Sequence, residues 1–246
     1  MIQVFIAAEY YMPLYFQSVL EASALRSGVL LLPLIVAAAT SGVLAGFIIH
    51  RTGKFREIIW AGTVFTCLSF GLFILFDVST SIATLVVVQI LCGLGYGMLF
   101  EAPLIAIQSQ VEQQDVATAT STLTFVRCMA LSISTIVGGV IFQNSMENRA
   151  SFLRAAGLPR EVLQQLDGGH AMANVMLPST LGNQDWELAA KQAFAWSMRN
   201  MWIVYTGVAF LAVIAGLFVE AAHLGTEHTE TVTGLKNEKR RAPTVE

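Results

Sequence analysis

Apolar residues run along this chain in five long stretches, residues 27–49, 58–76, 82–107, 117–142 and 201–219, with a shorter one at 1–16 ahead of them. Short polar breaks separate the stretches. Each approaches the ~20 residues that a helix needs to cross a hydrocarbon core. None alternates with a period of two, and the five long ones far exceed the ~10 residues of a barrel strand. In lipid, backbone N–H and C=O groups must pair within their own segment, so the stretches predict helices. Six elements follow, at about 2–20, 27–50, 57–76, 82–108, 117–142 and 201–222. The fold class read from them is an all-α membrane protein of six transmembrane helices. Residues 1–222 form the bundle, and residues 223–246 form a disordered tail.

Composition sharpens this picture. Hydrophobic residues make up 55% of the chain and charged residues 13%, about half the share usual in soluble domains. A soluble protein so composed would expose large apolar patches. The formal net charge of -3 gives no sign of nucleic-acid binding. Cys67, Cys92 and Cys128 all lie within apolar stretches and show neither a disulfide framework nor metal-ligand spacing. His50, His170, His223 and His228 show no metal spacing either. With no nucleophile–base set and no phosphate-binding loop, the expectation is a protein that is not an enzyme and uses no cofactor or metal. The first stretch lacks a basic flank, and Glu9-Tyr10-Tyr11 interrupts it, so it is not a cleavable signal peptide. It reads as a helix that once had more sequence before it.

The polar breaks set the orientation. Arg51, Lys54 and Arg56 crowd the second break, which places it in the cytoplasm by the bias of basic residues in short loops. Six crossings return the tail to that side, where Lys236-Asn237-Glu238-Lys239-Arg240-Arg241 agrees. Residues 143–200 then form an outer loop with amphipathic pieces, and 186–198 reads as a surface helix feeding the last crossing.

Tyr10-Tyr11-Met12-Pro13-Leu14-Tyr15-Phe16-Gln17 and Ser27-Gly28-Val29-Leu30-Leu31-Leu32-Pro33 resemble the seventh-helix region of fungal major facilitator superfamily proteins, most of all the fourteen-helix drug:proton antiporter group. Gly46-Phe47-Ile48-Ile49-His50-Arg51-Thr52-Gly53-Lys54 is similar to that superfamily's cytoplasmic loop motif, Gly-x-x-x-Asp-Arg-x-Gly-Arg, with Gly46, Arg51, Gly53 and Lys54 at its positions. His50 stands where the motif has an acid. Ala102-Pro103-Leu104-Ile105-Ala106 and Ser197-Met198-Arg199-Asn200-Met201-Trp202 also look like family positions. The resemblance covers nearly the whole chain but only the C-terminal six-helix half of the family. It implies half of a bundle, built of two inverted three-helix repeats. It also implies proton-coupled multidrug efflux of small hydrophobic molecules, drugs or toxins, by alternating access. The partners implied are the lipid bilayer, substrate and protons, and a missing N-terminal half or a second copy. The plasma membrane is the expected location, with vacuolar or vesicle membranes as alternatives. Two rival readings stay open: a truncated product inactive in transport, and a membrane scaffold or binding protein that uses residues 143–200.

Three ionisable residues fall inside apolar stretches: Glu9, Glu101 and Arg127. A charge at mid-bilayer costs ~3 kcal/mol or more and needs a partner or an aqueous cavity. Glu101 and Arg127 lie at similar depth on successive antiparallel helices, which makes a carboxylate tuned by a guanidinium the proton-coupling candidate, with a static ion pair as the structural alternative. Glu9 is a further coupling candidate. Tyr10, Tyr11, Gln17 and Tyr96 are candidates for lining a substrate cavity. Gly93-Leu94-Gly95-Tyr96-Gly97 shares Gly-Tyr-Gly with potassium filters but sits mid-helix, so Gly93, Gly95 and Gly97 read as packing and flexing positions. Gly42 and Gly46 form a Gly-x-x-x-Gly pair that admits a close neighbour. Pro103 removes one backbone bond and is the expected hinge, leaving carbonyls free near the cavity.

Overall fold

A computed structural model of the chain describes residues 2–108 and 110–218. The tail from His223, expected to be disordered, lies outside these residues. Among the described residues, six long helices form the body: α1 (Ile2–Ser18), α2 (Ala24–Thr52), α3 (Arg56–Phe73), α4 (Ile82–Gln108), α5 (Val116–Asn148) and α9 (Gln184–Leu217). Between α5 and α9 come the short helices α6 (Ala150–Ala155), α7 (Arg160–Gln165) and α8 (Gly168–Ala171) and a 3-10 turn at Leu177–Thr180.

Local chemistry sets the helix ends. Ser23 caps α2, its side chain accepting from the Arg26 amide at 3.3 Å. Gly53 ends α2 in the left-handed region at φ 67°, and its N–H bonds the Ile49 carbonyl at 2.8 Å; a side chain there would strain the turn. Asn183 caps α9 by accepting from the Asp185 amide at 2.9 Å. The boundaries differ from the apolar stretches at several ends. α3 stops at Phe73 rather than near 76. α5 runs six residues past Phe142, and α9 begins at Gln184, so the expected surface helix and last crossing are one continuous rod. Both rods are about 50 Å long at 1.5 Å per residue. They outreach a hydrocarbon core of ~30 Å, and their projecting ends carry the segment between them.

The spans Ala24–Thr52, Arg56–Phe73, Ile82–Gln108, Val116–Ala155 and Gln184–Leu217 are long and apolar enough to cross a membrane. α1 has 17 residues, or about 25 Å, and is buried along most of its circumference. Contacts place the six helices in a closed ring, in the order α1, α2, α4, α3, α9, α5 and back to α1. Exchanging α1 with α4, α2 with α5 and α3 with α9 turns most of these contacts into one another: α2–α4 becomes α5–α1, α3–α4 becomes α9–α1, and α1–α2 becomes α4–α5. The matched helices run in opposite directions, so the bundle is two inverted three-helix repeats.

Close backbone approach holds the ring. Gly93 and Gly97 face α2: a Cβ on Gly97 would collide with the Ala38 carbonyl and the Ser41 hydroxyl. Gly95, between them, faces α3 at Gly62 and Thr66. Gly138 on α5 is pressed between the rings of Tyr11 and Tyr205. Outside the ring, Val29, Val36 and Phe47 on α2, Ile136 on α5 and Phe210 and Leu211 on α9 are exposed, an apolar mantle that belongs against acyl chains. The segment between α5 and α9 is a packed cap, with Leu153, Leu158, Leu166 and Ala171 buried against the helix ends.

Candidate functional site

Helical spacing brings the site together. Ile35, Ala38, Ala39, Gly42 and Val43 make one stripe on α2, Phe5 and Glu9 lie one turn apart on α1, and Tyr96, Gly97, Phe100 and Glu101 share a face of α4. These residues line a cavity of about 400 Å3 where the three helices meet. Its wall is apolar and aromatic. The Phe5 and Tyr96 rings stack at 3.5 Å between centroids, 8° from parallel, and Tyr96 tilts against Phe100 at 5.8 Å. Gly42 and Gly97 let α2 and α4 close behind it, and the Glu101 side chain lies beside Gly42. Two carboxylates line the cavity: Glu9 is exposed and Glu101 half-buried. Among the described residues, no cationic side chain joins them in the lining.

Arg127 reaches the back of this wall from α5. Its guanidinium lies over the Phe100 ring at 4.6 Å, and Nη2 donates to the Phe100 carbonyl at 2.7 Å. Arg127 and Glu101 make no ion pair within 4.0 Å among the described residues. The guanidinium is turned to the Phe100 carbonyl instead.

The other sequence candidates fall elsewhere. Tyr11 is buried and donates its hydroxyl to the Thr135 carbonyl at 2.6 Å, tying α1 to α5. Tyr10 is exposed and meets the Tyr11 ring edge-on at 4.9 Å. Gln17 is half-buried at the far end of α1. None of the three lines the cavity: Tyr10 and Tyr11, one and two residues beyond Glu9, are turned by about 100° and 200° around the helix, and Gln17 lies about two turns farther along it. Of the loop-motif positions, Gly53 forms the α2 cap, Arg51 lies over the Phe47 ring at 4.9 Å, and Lys54 approaches Glu57 at 3.9 Å. Gly46 has nothing within 4 Å of its Cβ position, so the close approach expected of the Gly42–Gly46 pair occurs at Gly42 alone. Phe5, Phe100 and the α2 stripe went unremarked in the sequence. Their signal was there as positions 35, 38, 39, 42 and 43, the 3-4 spacing of a single helix face. Among the described residues no three His, Cys, Asp or Glu side chains gather as metal ligands.

Residues 1–135 match the family model described as Major Facilitator Superfamily. "Efflux pump dotC" of Dothistroma septosporum is 35% identical over 237 residues, 96% of this chain and 40% of that protein. "MFS-type transporter ppz2" of Metarhizium majus is 37% identical over 234 residues, 95% of this chain and 40% of that protein. "Efflux pump FUS6" of Gibberella fujikuroi is 33% identical over 233 residues, 94% of this chain and 41% of that protein. The chain thus spans about two fifths of the length of these relatives. No solved structure matches it significantly.

Proposed function

This chain belongs to the major facilitator superfamily, a family of integral membrane transporters, and from that premise we propose that it supplies one lobe of a proton-coupled efflux transporter for small, mostly apolar molecules. The observation that carries this reading is the cavity between α1, α2 and α4, where Glu9 and Glu101 stand among Phe5, Tyr96 and Phe100. A concave, largely apolar space of this size suits a drug-sized molecule, and the carboxylates are the groups a proton would address. A carboxylate buried inside a bundle carries a desolvation cost when ionised, and protonation removes it. A conformation that buries Glu101 more deeply is therefore favoured when the group is neutral, and proton binding shifts the inward–outward equilibrium by that difference. Arg127, held on the Phe100 carbonyl, adds positive charge behind the same wall. The opposing wall comes from a second six-helix unit, as in superfamily transporters whose halves rock about a midplane site. Export as the direction is supported by the names of dotC and FUS6.

The test uses proteoliposomes that carry the chain with an opposing six-helix lobe. An imposed pH gradient is expected to drive uptake of a hydrophobic fluorescent dye. Glu101→Gln is expected to cut the gradient-driven component at least tenfold while dye binding stays within threefold. Undiminished gradient-driven uptake in that variant overturns the coupling role of Glu101. The chain alone, as a monomer, is expected to move no dye; uptake by it overturns the one-lobe reading.

A further inference from the structure

At the end of the bundle remote from the α2–α3 turn lies a second cavity, of about 370 Å3. Ile74, Leu75 and Asp77, just past α3, form one wall; Arg149, Trp196 and Arg199, from the α5–α6 junction and α9, form the other. The Arg149 guanidinium lies over the Trp196 ring at 4.2 Å, and its Nε is buried without a hydrogen-bond partner. Neither arginine forms an ion pair within 4.0 Å among the described residues. Asp77 is the one acid in the lining, and its Oδ1 already accepts from the Val78 amide at 2.7 Å. With two arginines against one carboxylate, the cavity carries net positive charge beside an apolar wall. Unpaired cations in such a setting call for an anion.

The level of the cavity says which anion. Leu75 lies 19 residues beyond Arg56, where α3 begins, and Arg199 lies 18 residues before Leu217, where α9 ends. At 1.5 Å per residue both are about 27–29 Å from the opposite edge, close to the thickness of a hydrocarbon core. This places the arginines at headgroup depth, with Trp196 as an interfacial aromatic. Leu75 is 71% exposed, so the apolar wall opens sideways toward acyl chains rather than toward water alone. We propose that this cavity holds the phosphate of a phospholipid in the adjacent leaflet, its oxygens on the guanidinium groups of Arg149 and Arg199 and its acyl chain along Ile74 and Leu75. The charge-assisted, forked geometry of arginine suits a phosphodiester. This assignment rests only on the bundle spanning a bilayer and not on the transport reading, so it stands or falls separately.

The experiment is quenching of Trp196 fluorescence in the purified full chain in neutral detergent, taken as the difference between the chain and Trp196→Phe. The probes are phosphatidylglycerol with brominated acyl chains, the corresponding brominated diacylglycerol without phosphate, and inorganic phosphate as competitor. Brominated phosphatidylglycerol is expected to quench saturably, at a concentration at least fivefold below that needed of the diacylglycerol. Arg199→Gln, a change at an exposed side chain, is expected to raise that concentration at least fivefold with the helical circular dichroism unchanged. Arg149→Gln should act in the same direction. Equal quenching by the diacylglycerol, or no effect of Arg199→Gln, overturns the proposal. Reversal of quenching by millimolar inorganic phosphate overturns the lipid assignment and makes free phosphate the ligand.

Discussion

Gly97 shows how much one missing methyl group decides. A Cβ there would collide with Ala38 and Ser41 and come to 2.6 Å from the Gly42 amide, so α2 itself would have to move. Gly46, on α2, has open space instead. Gly97→Ala is therefore expected to destabilise the bundle by about 1–3 kcal/mol, the usual cost of overpacking. Gly46→Ala should be neutral or stabilise by up to ~1 kcal/mol through helix propensity. Thermal melts of the two variants in detergent check this, and equal shifts would mean a looser α2–α4 seam than described. In sequence Gly42 and Gly46 are equivalent members of one Gly-x-x-x-Gly pair; which of them meets a neighbour depends on where α4 crosses. The polar candidates divide in the same way. That Glu9, Glu101 and Arg127 need partners or water was legible from their place in apolar stretches. That Arg127 turns to the Phe100 carbonyl and leaves Glu101 to the cavity depends on side-chain direction.

At the scale of elements, α4 is the pivotal helix. It contacts α2 through Gly93 and Gly97 and α3 through Gly95, and it presents Tyr96, Phe100 and Glu101 to the cavity. Pro103 interrupts its hydrogen bonding one turn beyond Leu99. Pro103→Ala restores the bond. The expected result is a higher melting temperature together with transport slowed several-fold, dye binding being unchanged; faster transport would remove the hinge role. The apolar stretches located all six long helices because burial in lipid demands unbroken runs. They misplaced the outer ends of α5 and α9, where the helices leave the hydrocarbon and polar residues continue the same backbone hydrogen bonding. Hydropathy ends at the membrane surface, whereas helix hydrogen bonding continues past it.

For the whole molecule, the ring of contacts and the exchange that relates α1–α3 to α4, α5 and α9 join the six long helices into one packed unit. Its orientation is open to direct measurement. In a background lacking Cys67, Cys92 and Cys128, a cysteine replacing Lys54, at the α2–α3 turn, should react with an impermeant thiol reagent from the cytoplasmic side only. One replacing Gly169, an exposed position in the cap, should react from the opposite side only. Labelling of both from one face would mean an even number of crossings between them. The hydrophobic pattern was sufficient for the membrane class, the helical content and the alternation of polar breaks, since each follows from one rule, that backbone polar groups cannot stay unpaired in lipid. The cavity, the path of Arg127 and the packed cap were beyond its reach. They arise where residues far apart in the chain meet, and which faces meet is set by the fit of small side chains between rods rather than by the hydropathy of any one of them.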